Sequence, residues 1–411
     1  AMDILIYRTS SGRVPFKEWL DGLGDLAGRT AIQRRLVRAA GGNLGDHQAC
    51  RGGIWELRVD QGPGYRVYFG RAGNAVIVKP HPASVLPMAI TVRVFRALLA
   101  EQGFDPNLVT LCLDTLEAPL GKVLIKHEDC AIVDFTGSAR FGQWVEANAH
   151  PALAFTETSG CNTVVLAGAE DLDAAIRSLA TTMCMFSAQM CTSPQNVYLP
   201  PWIDTPEGPV ARDEVAARLA AAIARLTEDP RRASMILATV QSAGTLTLIE
   251  AMRREGAARG RVLLESRPYP HPDFPDARTA TPLLVSLGKE ARDLYAEERF
   301  GPIGFVIACD SAEDALEQAT RDAREQGGIT GFLYARDEDF IARAEAAYAR
   351  AGAQLTINLT GAMPLNFAAA YSDYHVTGLN GAGNAALTTL AFVASRFAVT
   401  QSRRPVRDAN A

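Results

Sequence analysis

The apolar positions of the chain switch repeatedly between the two-residue period of a strand and the roughly 3.6-residue period of a helix. Strands are predicted over 108–113, 131–135, 162–166, 196–199, 330–334 and 354–358. Helices are predicted over 87–102, 139–148, 212–226, 312–326 and 338–351, and another begins at 171 and leads towards residue 191. Strands that alternate with helices in this way predict an α/β fold with largely parallel sheets.

The first 73 residues follow a different pattern. A short strand is predicted over 4–7, a helical stretch runs from Pro15 to residue 39, and Gly41-Gly42 ends it. Alternating residues over 54–59 and 65–69 predict a hairpin. This stretch is therefore predicted to be a small α+β module, and the tail over 401–411 is predicted to be frayed.

The charge distribution also divides the chain. The 411 residues carry a net charge of −5, but residues 1–73 carry +4 and the remainder −9, so we expect two modules with different partners. The length allows two or three domains with sizeable cores. No apolar run approaches the roughly 20 residues that span a bilayer, and no signal-peptide pattern opens the chain. We therefore expect a cytoplasmic protein without a membrane partner.

Seven cysteines are scattered along the chain without the spacing of a metal site, which predicts a reduced protein without a bound metal. A run of small and apolar residues ends at Cys191 and precedes Thr-Ser-Pro, so this thiol is predicted at a helix–loop boundary, where a thiolate is reachable and stabilised. The alternative is a small core residue, the commonest role of a lone cysteine. Glu157 lies 34 positions earlier, in Thr-Glu-Thr-Ser-Gly after the apolar run 151–155.

The segments around these two residues resemble the aldehyde dehydrogenase superfamily. Glu157-Thr158-Ser159-Gly160 matches its Glu-x-Gly-Gly-type turn, and Ala188-Gln189-Met190-Cys191-Thr192 matches its Gly-Gln-x-Cys-Thr-type segment. The stretches FTGSARFGQW, CNTVVL and QMCTSPQNVYLP are similar to the phenylacetate-degradation branch. The resemblance implies that an aldehyde is oxidised to a carboxylic acid through a thiohemiacetal and a thioester on Cys191. Glu157 then activates water or helps to deprotonate the thiol.

The same resemblance implies a nicotinamide cofactor, NADP or NAD. Lys79 follows a strand predicted over 75–78 and corresponds to a lysine that contacts the adenosine ribose. Pro82 stands where relatives that prefer NAD often carry an acid, and its presence removes repulsion towards a 2′-phosphate.

Four further residues are assigned to the cofactor by the resemblance. Gly137 and Ser138 lie between a predicted strand and a predicted helix, an arrangement that cradles phosphate groups. Glu298 and Phe300 belong to a Glu-x-Phe-Gly-Pro element, in which the glutamate bonds the nicotinamide ribose and the phenylalanine packs beside the nicotinamide.

A long segment that relatives carry before the Lys79 strand has no counterpart in this sequence. It includes an asparagine, in a Pro-Trp-Asn-type motif, whose amide helps to form the oxyanion hole. The backbone N–H of Cys191 is the donor that remains. We therefore expect an incomplete Rossmann-type cofactor domain whose sheet edges are covered by homo-oligomerisation or by the hairpin.

Residues 1–73 resemble the RelE/HigB-type toxins, which are ribosome-associated mRNA endoribonucleases. The matching stretches are 10–12, 15–16, 19–20, 55–58 and 62–69. The resemblance assigns Arg58, Arg66 and Tyr68 to the RNA phosphate, which suits the forked guanidinium group. The plainer alternative is that both arginines face water. The lysine-bearing C-terminal helix of that family is absent, so the toxin-like module is truncated.

These observations predict four segments: a toxin-like module over 1–73, a partial cofactor domain over 74–157, a catalytic domain over 158–370 and a C-terminal segment over 371–411. The leading hypothesis is an NAD(P)-dependent aldehyde dehydrogenase whose activity is impaired by the missing part. The alternative is an mRNA interferase or antitoxin-binding module, carried by residues 1–73, beside an inactive dehydrogenase remnant. A third hypothesis is a fusion with neither activity.

Overall fold

The computed structural model of the protein describes residues 11–41, 54–59, 65–70, 75–158, 160–361 and 402–404, with the shorter stretches 4, 6, 8–9, 43, 45–49 and 61. The chain divides into two compact units, residues 1–121 and residues 122–411.

The first part of unit 1 packs two helices against a small antiparallel sheet. The helices are α1 (Pro15–Asp21) and α2 (Leu26–Ala40), and the strands are β1 (His47–Ala49), β2 (Ile54–Val59) and β3 (Tyr65–Gly70), in the order β1-β2-β3. Asp25 caps α2 by accepting from the Gly28 N–H and also accepts from the Tyr65 hydroxyl, which ties the hairpin to the helix. The predicted hairpin is confirmed, the predicted helical stretch forms two helices, and the strand predicted over 4–7 lies largely outside the described residues.

The second part of unit 1 is a parallel strand pair joined by a long helix. Its elements are β4 (Val76–Val78), α3 (Val85–Glu101) and β5 (Val109–Leu111). The stretch Pro82–Glu101 is long and apolar enough to cross a membrane, so the expectation that no apolar run approaches this length is wrong. One such helix is weak evidence for a span, because a crossover helix between parallel strands is also apolar. The guanidinium of Arg96, within the helix, donates to the carbonyl of Val109 in β5 at 3.2 Å.

Unit 2 begins with a second parallel pair. After α4 (Gly121–Ile125) come β6 (Ile132–Thr136), α5 (Ala139–Asn148) and β7 (Leu153–Glu157), and β6 pairs with β7. The strands of the main sheet are β8 (Asn162–Leu166), β9 (Pro194–Leu199), β12 (Arg261–Leu264), β13 (Leu283–Gly288), β14 (Ile303–Ala308), β15 (Thr330–Tyr334), β16 (Gln354–Ile357) and β17 (Ser402–Arg403). A short pair, β10 (Trp202–Ile203) and β11 (Val210–Ala211), lies apart from it.

The eight strands of the main sheet lie in the order β12-β13-β14-β9-β8-β15-β16-β17, and every neighbouring pair is parallel except β12 with β13. The helices of this unit are α6 (Leu172–Cys184), α7 (Arg212–Thr227), α8 (Pro230–Ile236), α9 (Ala243–Arg259), α10 (Arg292–Tyr295), α11 (Ala312–Gln326) and α12 (Glu338–Ala351). Strands β8 and β9 are buried along their whole length, as expected when both faces of a parallel sheet are covered.

The predicted largely parallel sheet is therefore confirmed, and α5, α11, α12, β8 and β15 have the predicted bounds. The prediction of a frayed tail is wrong in part, because Ser402 and Arg403 form the edge strand β17 and pair with Leu355 and Thr356. The remainder of the predicted segment 371–411 lies outside the described residues.

Candidate active site

Cys191 lies in a turn between α6 and β9, not at the end of a helix. The helix ends at Cys184, and Phe186, Ser187 and Ala188 then adopt left-handed backbone conformations with φ of 51°, 57° and 49°. Such a conformation costs about 1–2 kcal/mol for a residue with a side chain. The prediction that a helix delivers the thiol is therefore wrong, because the reversed hand stops the helix seven residues earlier.

Hydrogen bonds to the segment 238–241 hold this left-handed turn in place. The Ser187 hydroxyl donates to the carbonyl of Ala238 at 2.7 Å. The Gln189 amide donates to the carbonyl of Thr239 at 3.0 Å and accepts from the Gln241 N–H at 2.9 Å. Strained backbone persists where the surroundings fix it, and such positions are concentrated at functional sites.

The sheet brings the predicted residues together. Strands β14, β9, β8 and β15 are parallel neighbours, so they begin at the same edge. Glu298 precedes β14, Cys191 precedes β9 and Gly160 precedes β8. The Gly160 N–H donates to the Glu298 carboxylate at 3.0 Å. A Cβ atom on Gly160 would lie 1.8 Å from the carbonyl oxygen of Cys191, so glycine is required there.

The electrostatic environment of Cys191 disfavours its thiolate. Burial raises the pKa of the thiol, and the carboxylates of Glu157 and Glu298 raise it further. The backbone N–H groups of Cys191 and Thr192 lower the pKa of the thiol, but they do not reverse the shift. The surroundings of this partly buried sulfur therefore favour the thiol over the expected thiolate, and a base is needed to activate it.

Glu157 ends β7 beside the predicted phosphate-binding segment. The Gly137 N–H donates to the carbonyl of Glu157 at 3.0 Å, and Ser138 caps α5 by accepting from the Phe141 N–H at 3.4 Å. A Cβ atom on Gly137 would lie 2.6 Å from the tip of the Phe135 ring, so another residue type would require that ring to shift. The predicted order of strand, Gly-Ser and helix is present, and it leaves a helix N-terminus next to the end of β7.

Glu298 and Phe300 both line the same small cavity. Burial raises the pKa of the Glu298 carboxyl, and the Gly160 N–H partly opposes this effect. Phe300 is 36% exposed. A cavity of about 10 Å³, room for roughly one water molecule, lies between this segment and the one that carries Cys191. Its lining comprises Gly160, Ala188, Met190, Ser193, Pro194, Gln195, Glu298, Arg299, Phe300, Gly301 and Ile303.

Lys79 belongs to unit 1, where it already has a partner. Its ammonium group lies 2.8 Å from the carboxylate of Asp114, whose side chain is 1% exposed. Burial disfavours the Asp114 carboxylate, but Lys79 and the Leu120 N–H outweigh that effect and lower its pKa. The sequence analysis missed Asp114, which is three residues beyond β5, the parallel neighbour of the strand that leads to Lys79.

The arginines of the hairpin also have a partner. Arg58 and Arg66 are opposite each other across β2 and β3, and both approach the Glu56 carboxylate, at 2.8 and 3.9 Å. Tyr68 pairs with Glu56 in the strand register, and its side chain lies outside the described part of the molecule.

Two buried carboxamides that support the site were missed. Asn162, 0% exposed, donates to the carbonyls of Cys191 and Ser193 at 2.7 and 2.9 Å. Gln195 donates to the carbonyls of Tyr295 and Glu297 at 2.9 and 3.0 Å, and thereby holds the segment before Glu298. The available signal was an amide side chain at the start of an apolar strand, since a buried amide requires partners.

Comparison with known proteins gives the same fold. The chain is 25% identical, over 275 residues, to an N-succinylglutamate 5-semialdehyde dehydrogenase of Paraburkholderia xenovorans; the match covers 65% of this chain and 52% of that protein. An NAD-dependent aldehyde dehydrogenase of Burkholderia multivorans is 44% identical with a TM-score of 0.72, over 79% of this chain and 58% of that one.

A glyceraldehyde-3-phosphate dehydrogenase of Methanocaldococcus jannaschii, solved with NADP, shares the fold at 15% identity and a TM-score of 0.57, over 76% of this chain and 63% of that one. The chain thus spans about half the length of the curated relatives it matches, as the value of 52% indicates. Residues 71–366 match the sequence model of the aldehyde dehydrogenase family. This match covers most of the chain, so the protein belongs to the aldehyde dehydrogenase family.

Proposed function

We propose that this chain oxidises an aldehyde to a carboxylic acid with NAD or NADP, through a covalent intermediate on Cys191. The observation that carries the proposal is that the carboxylates of Glu157 and Glu298, which belong to distant elements, both raise the pKa of the Cys191 thiol. One carboxylate can serve as the base, and the other is available for hydroxyl groups of the cofactor.

The reaction begins with a proton transfer. Because the environment raises the pKa of the Cys191 thiol, its proton must go to an acceptor, and Glu157 fills this role. The sulfur forms a bond to the carbonyl carbon while the π electron pair moves to the oxygen, giving the oxyanion of a thiohemiacetal. The N–H groups of Cys191 and Thr192 are the candidate donors to that oxygen, and one such donor contributes about 10²–10³ in rate.

The second half of the reaction releases the acid. A bound nicotinamide would supply the hydride acceptor, and loss of the hydride from the former carbonyl carbon leaves a thioester on Cys191. Glu157 first releases the proton from Cys191 to solvent and then takes a proton from water. The water oxygen attacks the thioester carbon, the C–S bond breaks, and this second proton returns to the sulfur. The products are the carboxylic acid and the regenerated thiol.

The donor chemistry of the described residues fits a nicotinamide dinucleotide. Within unit 2, Gly137 and Ser138 would hold the pyrophosphate at the start of α5, and Glu298 would bond the nicotinamide ribose. The cavity of about 10 Å³ is too small for a nicotinamide ring, so the exposed side of Phe300 is the aromatic surface available to it.

Steady-state formation of NADH and NADPH, measured with a panel of aromatic and medium-chain aldehydes, tests this function. We expect turnover that Cys191→Ala abolishes and Cys130→Ala retains, since Cys130 is also a partly exposed free cysteine. The absence of turnover from the folded protein with every aldehyde contradicts the proposal. Separately, a rise in the melting temperature with NAD or NADP tests cofactor binding, because a ligand that binds the folded state stabilises it.

At a finer level, we propose that the substrate is an aldehyde of phenylacetate or other aromatic degradation, and that the chain forms a homo-oligomer. Its support is the similarity of the stretches FTGSARFGQW, CNTVVL and QMCTSPQNVYLP to that branch. We expect kcat/KM to be at least tenfold higher for aromatic than for aliphatic aldehydes of similar size, a preference of about 1.4 kcal/mol. Light scattering measures the assembly.

A second proposal concerns residues 1–73, as an RNA-cleaving or antitoxin-binding module. The observation that favours it is the pair Arg58 and Arg66, directly opposite each other on the hairpin. Because Glu56 lies close to both guanidinium groups, Glu56→Gln is expected to increase RNA binding and Arg66→Ala to remove it. Arg13→Ala is the matched control, since Arg13 is an exposed arginine of the same module paired with Glu18. Equal RNA binding by all three variants contradicts this proposal.

A further inference from the structure

The carboxamide of Asn162 uses its full hydrogen-bonding capacity. Its Nδ2 donates to the carbonyls of Cys191 and Ser193, and its Oδ1 accepts from the N–H groups of Ile329 and Thr330 at 3.0 and 2.9 Å. An amide offers two N–H donors and two lone pairs, and all four have partners here. The two carbonyls require donors and the two N–H groups require an acceptor, so the orientation of the amide is determined by its neighbours.

These bonds fix the direction of successive peptide planes in the segment that carries the thiol. Asn162 takes the carbonyls of Cys191 and Ser193, and the Thr330 hydroxyl donates to the intervening carbonyl of Thr192 at 3.3 Å. In a trans peptide the C=O and N–H bonds point in opposite directions. Therefore, when the Cys191 carbonyl points at Asn162, the N–H of Thr192 points the opposite way. This N–H lowers the pKa of the Cys191 thiol.

We propose that Asn162 is a positioning residue for the Cys191 thiol: its amide fixes the Cys191–Thr192 peptide plane so that the Thr192 N–H faces the sulfur. Asn162 does not touch the reacting atoms in this role. It acts through the peptide group, and it joins the start of β8 to the start of β15 at the same time. Its part in turnover rests on the proposed function, whereas its effect on the thiol does not.

The experiment measures alkylation of Cys191 by iodoacetamide from pH 6 to pH 10, without aldehyde or cofactor, and locates the product by mass spectrometry of the Cys191 peptide. The other groups that act on this thiol, Glu157 and Glu298, are unchanged in the variants. For Asn162→Ala we expect an apparent thiol pKa about one unit higher, and alkylation about tenfold slower at pH 7.5. One pKa unit corresponds to a tenfold change in thiolate fraction.

Asn196→Ala is the matched control. Asn196 is also an asparagine with 0% exposure, it lies on the neighbouring strand β9, and its amide donates to the carbonyl of Tyr295. This variant should lose comparable stability and keep the wild-type alkylation profile. If the profiles of folded Asn162→Ala and wild type coincide, or if Asn196→Ala shifts its profile as far, the proposal is wrong.

A measurement on the wild-type protein covers the case in which Asn162→Ala fails to fold. With ¹⁵N-threonine labelling, the amide resonance of Thr192 should move through the pH range in which Cys191 ionises and should report the same midpoint. A Thr192 amide that does not respond overturns the proposal. Neither assay measures turnover, so each proposal can fail on its own. If only the dehydrogenase proposal is wrong, the assays still show a positioned thiol, but the protein oxidises no aldehyde.

Discussion

Glu298 accepts a hydrogen bond from the backbone N–H of Gly160 at 3.0 Å, although 138 positions separate them in the chain. The bond joins the segment before β14 to the segment before β8, across the intervening β9 and the turn that carries Cys191. It satisfies one backbone donor of the tight Gly160 position. It also places a partly buried carboxylate beside a thiol whose ionisation that carboxylate opposes.

The first prediction concerns the pH dependence that Glu298 imparts. Its pKa is raised in the folded state, mainly by burial, so its contribution to stability is present below the unfolded value of about 4.3 and is lost as the pH rises through the folded value. Glu298→Gln retains an acceptor for Gly160 and has no such titration. We expect the melting temperature of the variant to match the wild type near pH 4 and to equal or exceed it at pH 7.5.

The same variant should respond less to the cofactor, because a neutral amide replaces the carboxylate proposed for the ribose. Glu297→Gln is the control: Glu297 precedes Glu298 and its side chain is 69% exposed. An undiminished thermal shift with NAD and NADP in Glu298→Gln contradicts the assigned cofactor role. A variant that is less stable than the wild type at pH 7.5 contradicts the pKa argument.

The second prediction separates two effects of Glu157. If Glu157 is the base, Glu157→Gln should lower kcat by a factor of about 10²–10⁴. As a neighbouring negative charge that raises the thiol pKa, its loss should make Cys191 react faster with iodoacetamide at pH 7.5. Since Glu157 acts on the thiol more strongly than Glu298, we expect alkylation to be fastest in Glu157→Gln, intermediate in Glu298→Gln and slowest in the wild type. Slower alkylation in Glu157→Gln would show that the carboxylate does not act on the sulfur in this way.

The third prediction concerns the left-handed turn before Cys191. Ala188 has φ of 49°, a conformation that glycine adopts without a Cβ penalty. Ala188→Gly should therefore raise the free energy of unfolding by about 0.5–1 kcal/mol, despite the larger entropy of glycine in the unfolded chain. Ala217→Gly, on the exposed face of the right-handed helix α7, should instead lower it by about 1 kcal/mol. Chemical denaturation of the two variants measures this opposite sign, and loss of stability in both indicates an unstrained turn.

The fourth prediction concerns Gln195. Its side chain bonds the carbonyls of Tyr295 and Glu297 and accepts from the Arg299 N–H at 2.5 Å, so Gln195→Leu leaves three backbone groups without this partner. We expect a loss of about 2–4 kcal/mol in stability and a several-fold rise in KM for the cofactor.

Gln318→Leu is the comparison for Gln195→Leu, because Gln318 is also buried but lies on α11 with its amide bonded to Asp314. It should cost stability without a change in KM. The interpretation fails if KM rises equally in both variants.

Much of the framework was predictable from the sequence because it follows from periodicity. The apolar spacing of α11 and α12 and the continuous apolar run of β8 leave few alternatives, and these elements have the predicted bounds. Helices α8 and α9 and strands β12, β13 and β14 were not predicted. Helix α9, for example, has buried residues at only three of its positions, Ile249, Met252 and Gly256, so its apolar stripe is short.

The site itself was predictable only in part. Cys191 and Glu298 lie in segments that precede neighbouring parallel strands, which brings both segments to one edge of the main sheet. Glu157 ends β7, a strand of a separate pair. The turn at Phe186–Ala188 was not predictable from local signals, since left-handed conformations are usually marked by glycine or asparagine and this segment contains neither. The role of Asn162 depends on partners as far away as Thr330, which no local pattern encodes.

The bonds of Asn162 also carry information about the order of assembly. Its acceptor oxygen is satisfied by backbone groups 167 and 168 positions further along the chain, on the strand that lies beyond β8 from the thiol. A growing polypeptide that ends just after Cys191 therefore lacks the backbone groups that hold the Asn162 amide in place. Contacts of such long sequence separation form late and slowly. We therefore expect Cys191 to reach its native reactivity only after β15 has joined the sheet.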